Sequence, residues 1–246
     1  MKNIIGLVSG KGGVGKTTIT VNLAAALVEL GNRVCIVDGN IAASNIGVQL
    51  GMIEYPANLH KVLNKEMRMI DAVFIHPSKI HVVNGSLSIA DARKTNVSSI
   101  KQHLKELVKH YDFILVDTAP GMEDRPMKIV ESCDSVFVVT TPELTSVTDT
   151  VKIIELLRSK RKKISGIIVN RYKGKEYETT PEEIREIYKL PIVSVIPEDE
   201  DISIAISEQI PVVFYNPNSI ASEEFFRLAA EISGIKYKKK KKIGLF

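Results

Sequence analysis

Seven short apolar runs punctuate the chain: Ile4–Val8, Val34–Val37, Ile80–Val83, Phe113–Val116, Val136–Val139, Ile164–Val169 and Ile192–Ile196. Each is four to six residues long, rich in β-branched side chains and without alternation, the pattern of strands covered on both faces. Between them the period becomes helical. Ile100, Leu104, Leu107 and Val108 make one stripe, and Leu144, Val147, Val151, Ile154 and Leu157 another. Strands alternating with helices predict βαβ units. The expected fold is therefore α/β, three-layered and doubly wound, with a mostly parallel sheet of seven or eight strands. No repeat or linker interrupts the pattern before the lysine-rich end, so one domain over 1–235 and a tail over 236–246 are expected.

The polar residues beside these runs narrow the chemistry. Ser9-Gly10, Asp38, Asp117, Thr140-Thr141 and Asn170-Arg171 all fall at predicted carboxyl ends of strands, outside which open α/β sheets bind ligands. Each residue type also serves turns and N-caps; the convergence of five such positions is what points to a site. At the first of them stands Gly10-Lys11-Gly12-Gly13-Val14-Gly15-Lys16-Thr17-Thr18, which fits G-x-x-x-x-G-K-[ST]. It follows a strand directly and opens a helix predicted to run to about Leu30, the context a phosphate loop requires. Glycines let successive backbone N–H groups curl around phosphate oxygens, and the helix N-terminus adds its positive dipole end. Lys16 is expected on the β- and γ-phosphates, and Thr17 is expected to offer its hydroxyl to Mg²⁺.

With lysine at its second position, this loop resembles the deviant Walker A of the MinD/ParA family of dimerising P-loop ATPases. The likeness runs over residues 2–233 and is closest to archaeal and bacterial MinD-like proteins. It implies ATP or ADP with Mg²⁺ as ligands and an ATP-bound sandwich homodimer in which Lys11 reaches the partner's phosphates. Asp117-Thr118-Ala119-Pro120-Gly121 resembles the family's Walker B and switch II, with Asp117 holding Mg²⁺ through water. Val37-Asp38-Gly39-Asn40 occupies switch I, which makes Asp38 an outer-shell or water-orienting candidate. Thr141-Pro142-Glu143 is similar to the segment whose glutamate contacts nucleotide across the dimer. Asn170-Arg171 resembles the adenine-reading position, and Pro197-Glu198-Asp199 the loop over the base. The catalytic set implied is Lys11, Lys16, Asp38 and position 40. There the chain departs from the family: Asn40 stands where an aspartate usually positions the attacking water. An amide can orient water but cannot accept its proton at neutral pH, so slow turnover is expected.

Charge and composition refine this picture. Of 33 Lys and Arg, six lysines lie within 236–246, leaving 27 against 29 acidic residues in the body, about −2. A nearly neutral body is not a general nucleic-acid binder. The tail holds five consecutive lysines, Lys238 to Lys242, then Ile243, Leu245 and Phe246. It resembles the lysine-rich apolar end of MinD-like proteins, although its charged and apolar residues are segregated along the chain. Its expected partner is an anionic membrane surface, with a solubilising end as the alternative. No run nears the ~18 apolar residues of a membrane span and no signal-peptide pattern opens the chain, so a cytoplasmic protein, peripheral at the membrane in its ATP state, is expected. The basic run Arg158, Lys160, Arg161, Lys162 and Lys163 keeps DNA partitioning as an alternative, and Asn40 keeps a nearly non-hydrolysing scaffold. Cys35 and Cys133 form no CxxC pair, which argues against iron–sulfur carriers. No histidine pair has metalloenzyme spacing and no Gly-x-Ser-x-Gly elbow occurs.

Overall fold

The computed structural model describes residues 4–52 and 55–236, so all of the predicted tail beyond Lys236 lies outside the described residues. The strands are β1 (Ile4–Val8), β2 (Val34–Gly39), β3 (Phe74–Ile75), β4 (His81–Val83), β5 (Phe113–Thr118), β6 (Ser135–Thr140), β7 (Ile164–Tyr172) and β8 (Ile192–Pro197). The helices are α1 (Lys16–Glu29), α2 (Ile46–Gln49), α3 (Leu59–Leu63), α4 (Ile89–Lys94), α5 (Ile100–Leu107), α6 (Asp124–Ser132), α7 (Leu144–Ser159), α8 (Pro181–Tyr188), α9 (Glu200–Ser207), α10 (Val212–Tyr215) and α11 (Ile220–Ser233). One sheet in the order β3-β4-β2-β5-β1-β6-β7-β8 joins all the strands. Every pairing is parallel except β3 with β4. β3 is a two-residue edge that no apolar run announces.

The unbroken apolar runs follow from two cores, one on each face of the sheet. Ile4 and Val8 of β1, with Cys35 and Val37 of β2, join one core with α5, α6 and α7. Ile5 and Leu7, with Val34 and Ile36, join the other with α1, α10 and α11. Successive side chains of a strand point to opposite faces, so a strand between two cores needs an apolar residue at every position. β8, at the sheet's end, departs from this: Ile192, Val193 and Val195 are only half-buried. In α7 the predicted stripe holds at Val147, Ile154 and Leu157, but Leu144 stands 71 % exposed, and Ile153 is buried beside Ile154. Leu144 opens the helix, ahead of the turn that reaches the sheet.

Hydrogen bonding carries several strands beyond their apolar runs. β2 continues to Gly39, β5 to Thr118 and β7 to Tyr172, so Asp38, Asp117, Asn170 and Arg171 sit inside strands rather than on the loops after them. No described helix is long and apolar enough to cross a membrane.

Candidate functional site

A cleft of about 840 Å³ opens at the carboxyl edge of the sheet. Its floor is the glycine loop between β1 and α1, through Gly12, Gly13, Gly15, Lys16, Thr17 and Thr18. The segment after β2 contributes Asn40, Ala42, Ala43 and Asn45, and α2 adds Val48 and Gln49. The segment around β5 and α6 adds Thr118, Ala119, Pro120, Glu123 and Pro126, and the rim is closed by Arg171 and Ile206.

The loop is shaped for an anion. Gly13 and Gly15 have φ of +80° and +89°, a region where side chains are strained, and a Cβ at Gly15 would strike the Asn170 amide. α1 starts from Gly15 with no side-chain cap and no acid in its first turn. By contrast α3, α8 and α11 are capped by Asn58, Thr180 and Ser219. The leading N–H groups and dipole of α1 are thus left for a ligand.

Lys16 is buried at 7 % exposure. Its Nζ donates to Ser9 Oγ at 2.9 Å, and that hydroxyl donates to the Lys11 carbonyl at 2.7 Å. Burial lowers the Lys16 pKa, opposed by the charge of Asp117. Thr17 Oγ1 donates to Asp117 Oδ2 at 2.5 Å, short as expected for a hydroxyl on a carboxylate. Asp117 Oδ1 is buried with no hydrogen-bond partner among the described residues. Parallel register sets Asp38 directly beside Asp117 across β2 and β5. Burial pushes the Asp117 carboxyl up to about 6, and burial plus the Asp117 charge pushes Asp38 up to about 8. A hydroxyl, an orphaned carboxylate oxygen and a second buried acid next to it form the oxygen-rich donor set that suits a hard divalent cation. These residues therefore fit Mg²⁺, which Thr17 and Asp117 would hold.

Asp38 itself faces its own loop. Its Oδ1 accepts the Asn40 N–H at 3.1 Å, and its Oδ2 accepts those of Asn45 and Ile46 at 3.1 and 3.2 Å. Asn40 Oδ1 accepts the Ala43 N–H at 3.3 Å. Fully buried His60 supports this loop from behind: Nδ1 accepts the Ser86 N–H at 2.9 Å, so Nε2 donates to the Ile41 carbonyl at 3.1 Å. Gln49 Nε2 donates to Thr18 Oγ1 at 3.2 Å and ties α2 to α1.

The remaining predicted residues divide. Asn170 Nδ2 donates to the Val14 carbonyl at 2.8 Å, so β7 grips the phosphate loop. Arg171 lines the cleft with a left-handed φ of 59°. Lys11 is exposed, and its side chain makes no hydrogen bond or ion pair with the described residues. Glu143 is exposed at the start of α7. Pro197, Glu198 and Asp199 do not line the cleft. Pro197 ends β8, and the Glu198 N–H binds the Tyr172 carbonyl. Asp199 caps α9 through Asp201 and also accepts the Ala221 N–H. Sequence reasoning missed Glu123, Gln49 and Ile206. Glu123 lies two residues past the predicted switch II segment, and the other two carry no local signal.

Comparison with known proteins agrees with this geometry. Residues 1–233 match the family described as "ParA: NUBPL iron-transfer P-loop NTPase". The chain belongs to this ParA family of P-loop NTPases, and within it the likeness is to MinD proteins. The septum site-determining protein MinD of Thermotoga maritima is 37 % identical over 246 residues, covering 95 % of this chain and 89 % of that one. MinD of Pyrococcus horikoshii, solved in complex with Mg-ADP, superposes with a TM-score of 0.90 at 36 % identity, covering 94 % of this chain and 96 % of that one. MinD in the MinC:MinD complex of Aquifex aeolicus gives 0.85 at 27 % identity, covering 97 % and 99 %. The iron-transfer part of the family description has no counterpart in the cysteines. Cys35 and Cys133 are buried core residues. Burial pushes both thiols upward, Cys133 to about 12, away from the thiolate a metal needs.

Proposed function

We propose that the chain binds Mg²⁺–ATP in this cleft and closes as a homodimer over two nucleotides. It then hydrolyses the terminal phosphate slowly, and the cycle moves it on and off an anionic membrane surface as a spatial regulator. The observation that carries this reading is the division between two lysines of one loop. Lys16 is buried and bonded within its own site, whereas the Lys11 side chain is exposed on the lip with no partner among the described residues. A second cation on a phosphate loop, turned outward, is what a nucleotide shared between two copies requires. The P. horikoshii relative's complex with Mg-ADP supports the ligand, and the A. aeolicus MinC:MinD assembly supports a protein partner of that kind.

In the chemistry this implies, the N–H groups of the glycine loop and of α1 neutralise phosphate oxygens, and Lys16 stabilises charge on the β- and γ-phosphates. Thr17 and Asp117 would hold Mg²⁺, which supplies charge neutralisation between these phosphates. The amide of Asn40 orients water, and Asn170 holds the phosphate loop through the Val14 carbonyl.

The DNA-binding alternative loses most of its basic run to contacts within the chain. Arg158 donates to the Tyr188 carbonyl, Lys160 pairs with Glu131 at 2.5 Å, and Lys162 donates to the Glu131 and Cys133 carbonyls. Light scattering with and without ATP tests the proposal. The parent dimerises with ATP, and Lys11→Ala stays monomeric while still binding nucleotide. A Lys11→Ala protein that dimerises like the parent sinks the reading.

A further inference from the structure

Asn40 leaves the proposed hydrolysis without the acid at its usual place, and the two buried acids paired across β2 and β5, Asp38 and Asp117, are already engaged. Both oxygens of Asp38 accept backbone N–H groups, and Asp117 accepts from Thr17 and, in the proposed function, is committed to Mg²⁺. Among the described residues that line the cleft, one carboxylate remains, that of Glu123.

Its position is built by the segment after β5. The Gly121 N–H donates to the Ser9 carbonyl at 3.1 Å, and a Cβ at Gly12 would lie 3.7 Å from Pro120 Cγ. This segment is thereby laid along the phosphate loop. The chain then turns at Gly121, where φ is +98°, and the Glu123 carboxylate folds back so closely that a Cβ at Gly121 would strike it. Glu123 opens α6, yet its side chain does not cap the helix. It makes no hydrogen bond or ion pair among the described residues, and it shares the cleft wall with Asn40.

Resting on the nucleotide reading above, we propose that Glu123 is a catalytic residue which, with Asn40, holds the attacking water and takes its proton. The water oxygen forms a bond to the γ-phosphorus while the bond from that phosphorus to the β–γ bridging oxygen breaks, and ADP leaves with the electron pair. The proton passes to the Glu123 carboxylate and from there to solvent.

The test compares the parent, Glu123→Gln and Glu123→Gln/Asn40→Asp for fluorescent-ATP affinity, ATP-driven dimerisation and single-turnover hydrolysis. Glu123→Gln is expected to bind ATP within about threefold of the parent and to dimerise, while losing about tenfold or more in kcat. Asn40→Asp should restore rate in the double variant. Unchanged kcat in Glu123→Gln, loss of its ATP binding, or no restoration by Asn40→Asp overturns the assignment. A parent that does not bind ATP overturns the nucleotide reading as well, which separates the two failures.

Discussion

A buried ammonium tolerates its burial only where acceptors and counter-charge surround it, and Lys16 has both in Ser9 and Asp117. Lys16→Ala removes a charged donor from the phosphate cradle. Nucleotide affinity should fall by on the order of 1.5–3 kcal/mol, tenfold or more, in a fluorescent-nucleotide titration; the same titration on Lys11→Ala should match the parent. His60 supplies a pH dependence. Burial lowers its pKa from the ordinary 6.5, so below that value the unfolded chain takes up a proton that the native imidazole resists. Stability therefore falls as pH drops below about 6.5, because the unfolded state binds more protons there. Urea midpoints at pH 7.5 and 5.5 should differ by less in His60→Gln than in the parent. At this scale legibility follows local spacing. Lys16, Thr17 and the loop glycines are adjacent in sequence, and a strand carries Asp117 to Thr17. Gln49 and Ile206 reach the cleft only through packing between distant segments, which spacing does not encode. Pro197 to Asp199 fit a ligand-loop pattern, but the start of α9 needs a cap, and Asp199 meets that need.

Elements were legible where burial demands an unbroken apolar run, as in β1, β2, β5 and β6, and illegible where a neighbour alone makes the strand. β3 exists because Phe74 and Ile75 pair with His81 and Val82, not through any pattern of its own. Helix ends follow local chemistry instead. α8 opens with a reciprocal cap in which Thr180 Oγ1 accepts the Glu183 N–H at 3.2 Å and the Glu183 carboxylate accepts the Thr180 N–H at 2.8 Å. Thr180→Ala should cost about 1 kcal/mol in urea unfolding. α8 lies outside the cleft lining, so ATP affinity should not change. A loss of ATP affinity in that variant would mean that α8 couples to the site.

For the whole molecule, the proposed membrane cycle depends on presenting two tails at once. Each lysine of Lys238 to Lys242 gains up to about 1 kcal/mol near an anionic surface, and Ile243, Leu245 and Phe246 add apolar burial, but ordering one tail opposes both. A dimer makes the second insertion intramolecular, which can raise affinity by on the order of 10²–10⁴. Anionic liposomes should therefore pellet the protein with ATP, poorly with ADP, and less as salt rises; deletion of residues 243–246 should weaken pelleting without affecting dimerisation. Equal pelleting in ATP and ADP would eliminate the switch. Concentrating a protein on a membrane also favours unwanted polymerisation, and the two ends of the sheet bear on that. One end is β3, two residues long and antiparallel to its neighbour; the other is β8, which starts after Pro191 and finishes on Pro197. Proline cannot donate to a growing ladder, and a two-residue strand offers little template. Among the described residues, the sheet's edges are thus a two-residue strand and a strand bounded by two prolines, which limits the template they offer a neighbouring copy's backbone.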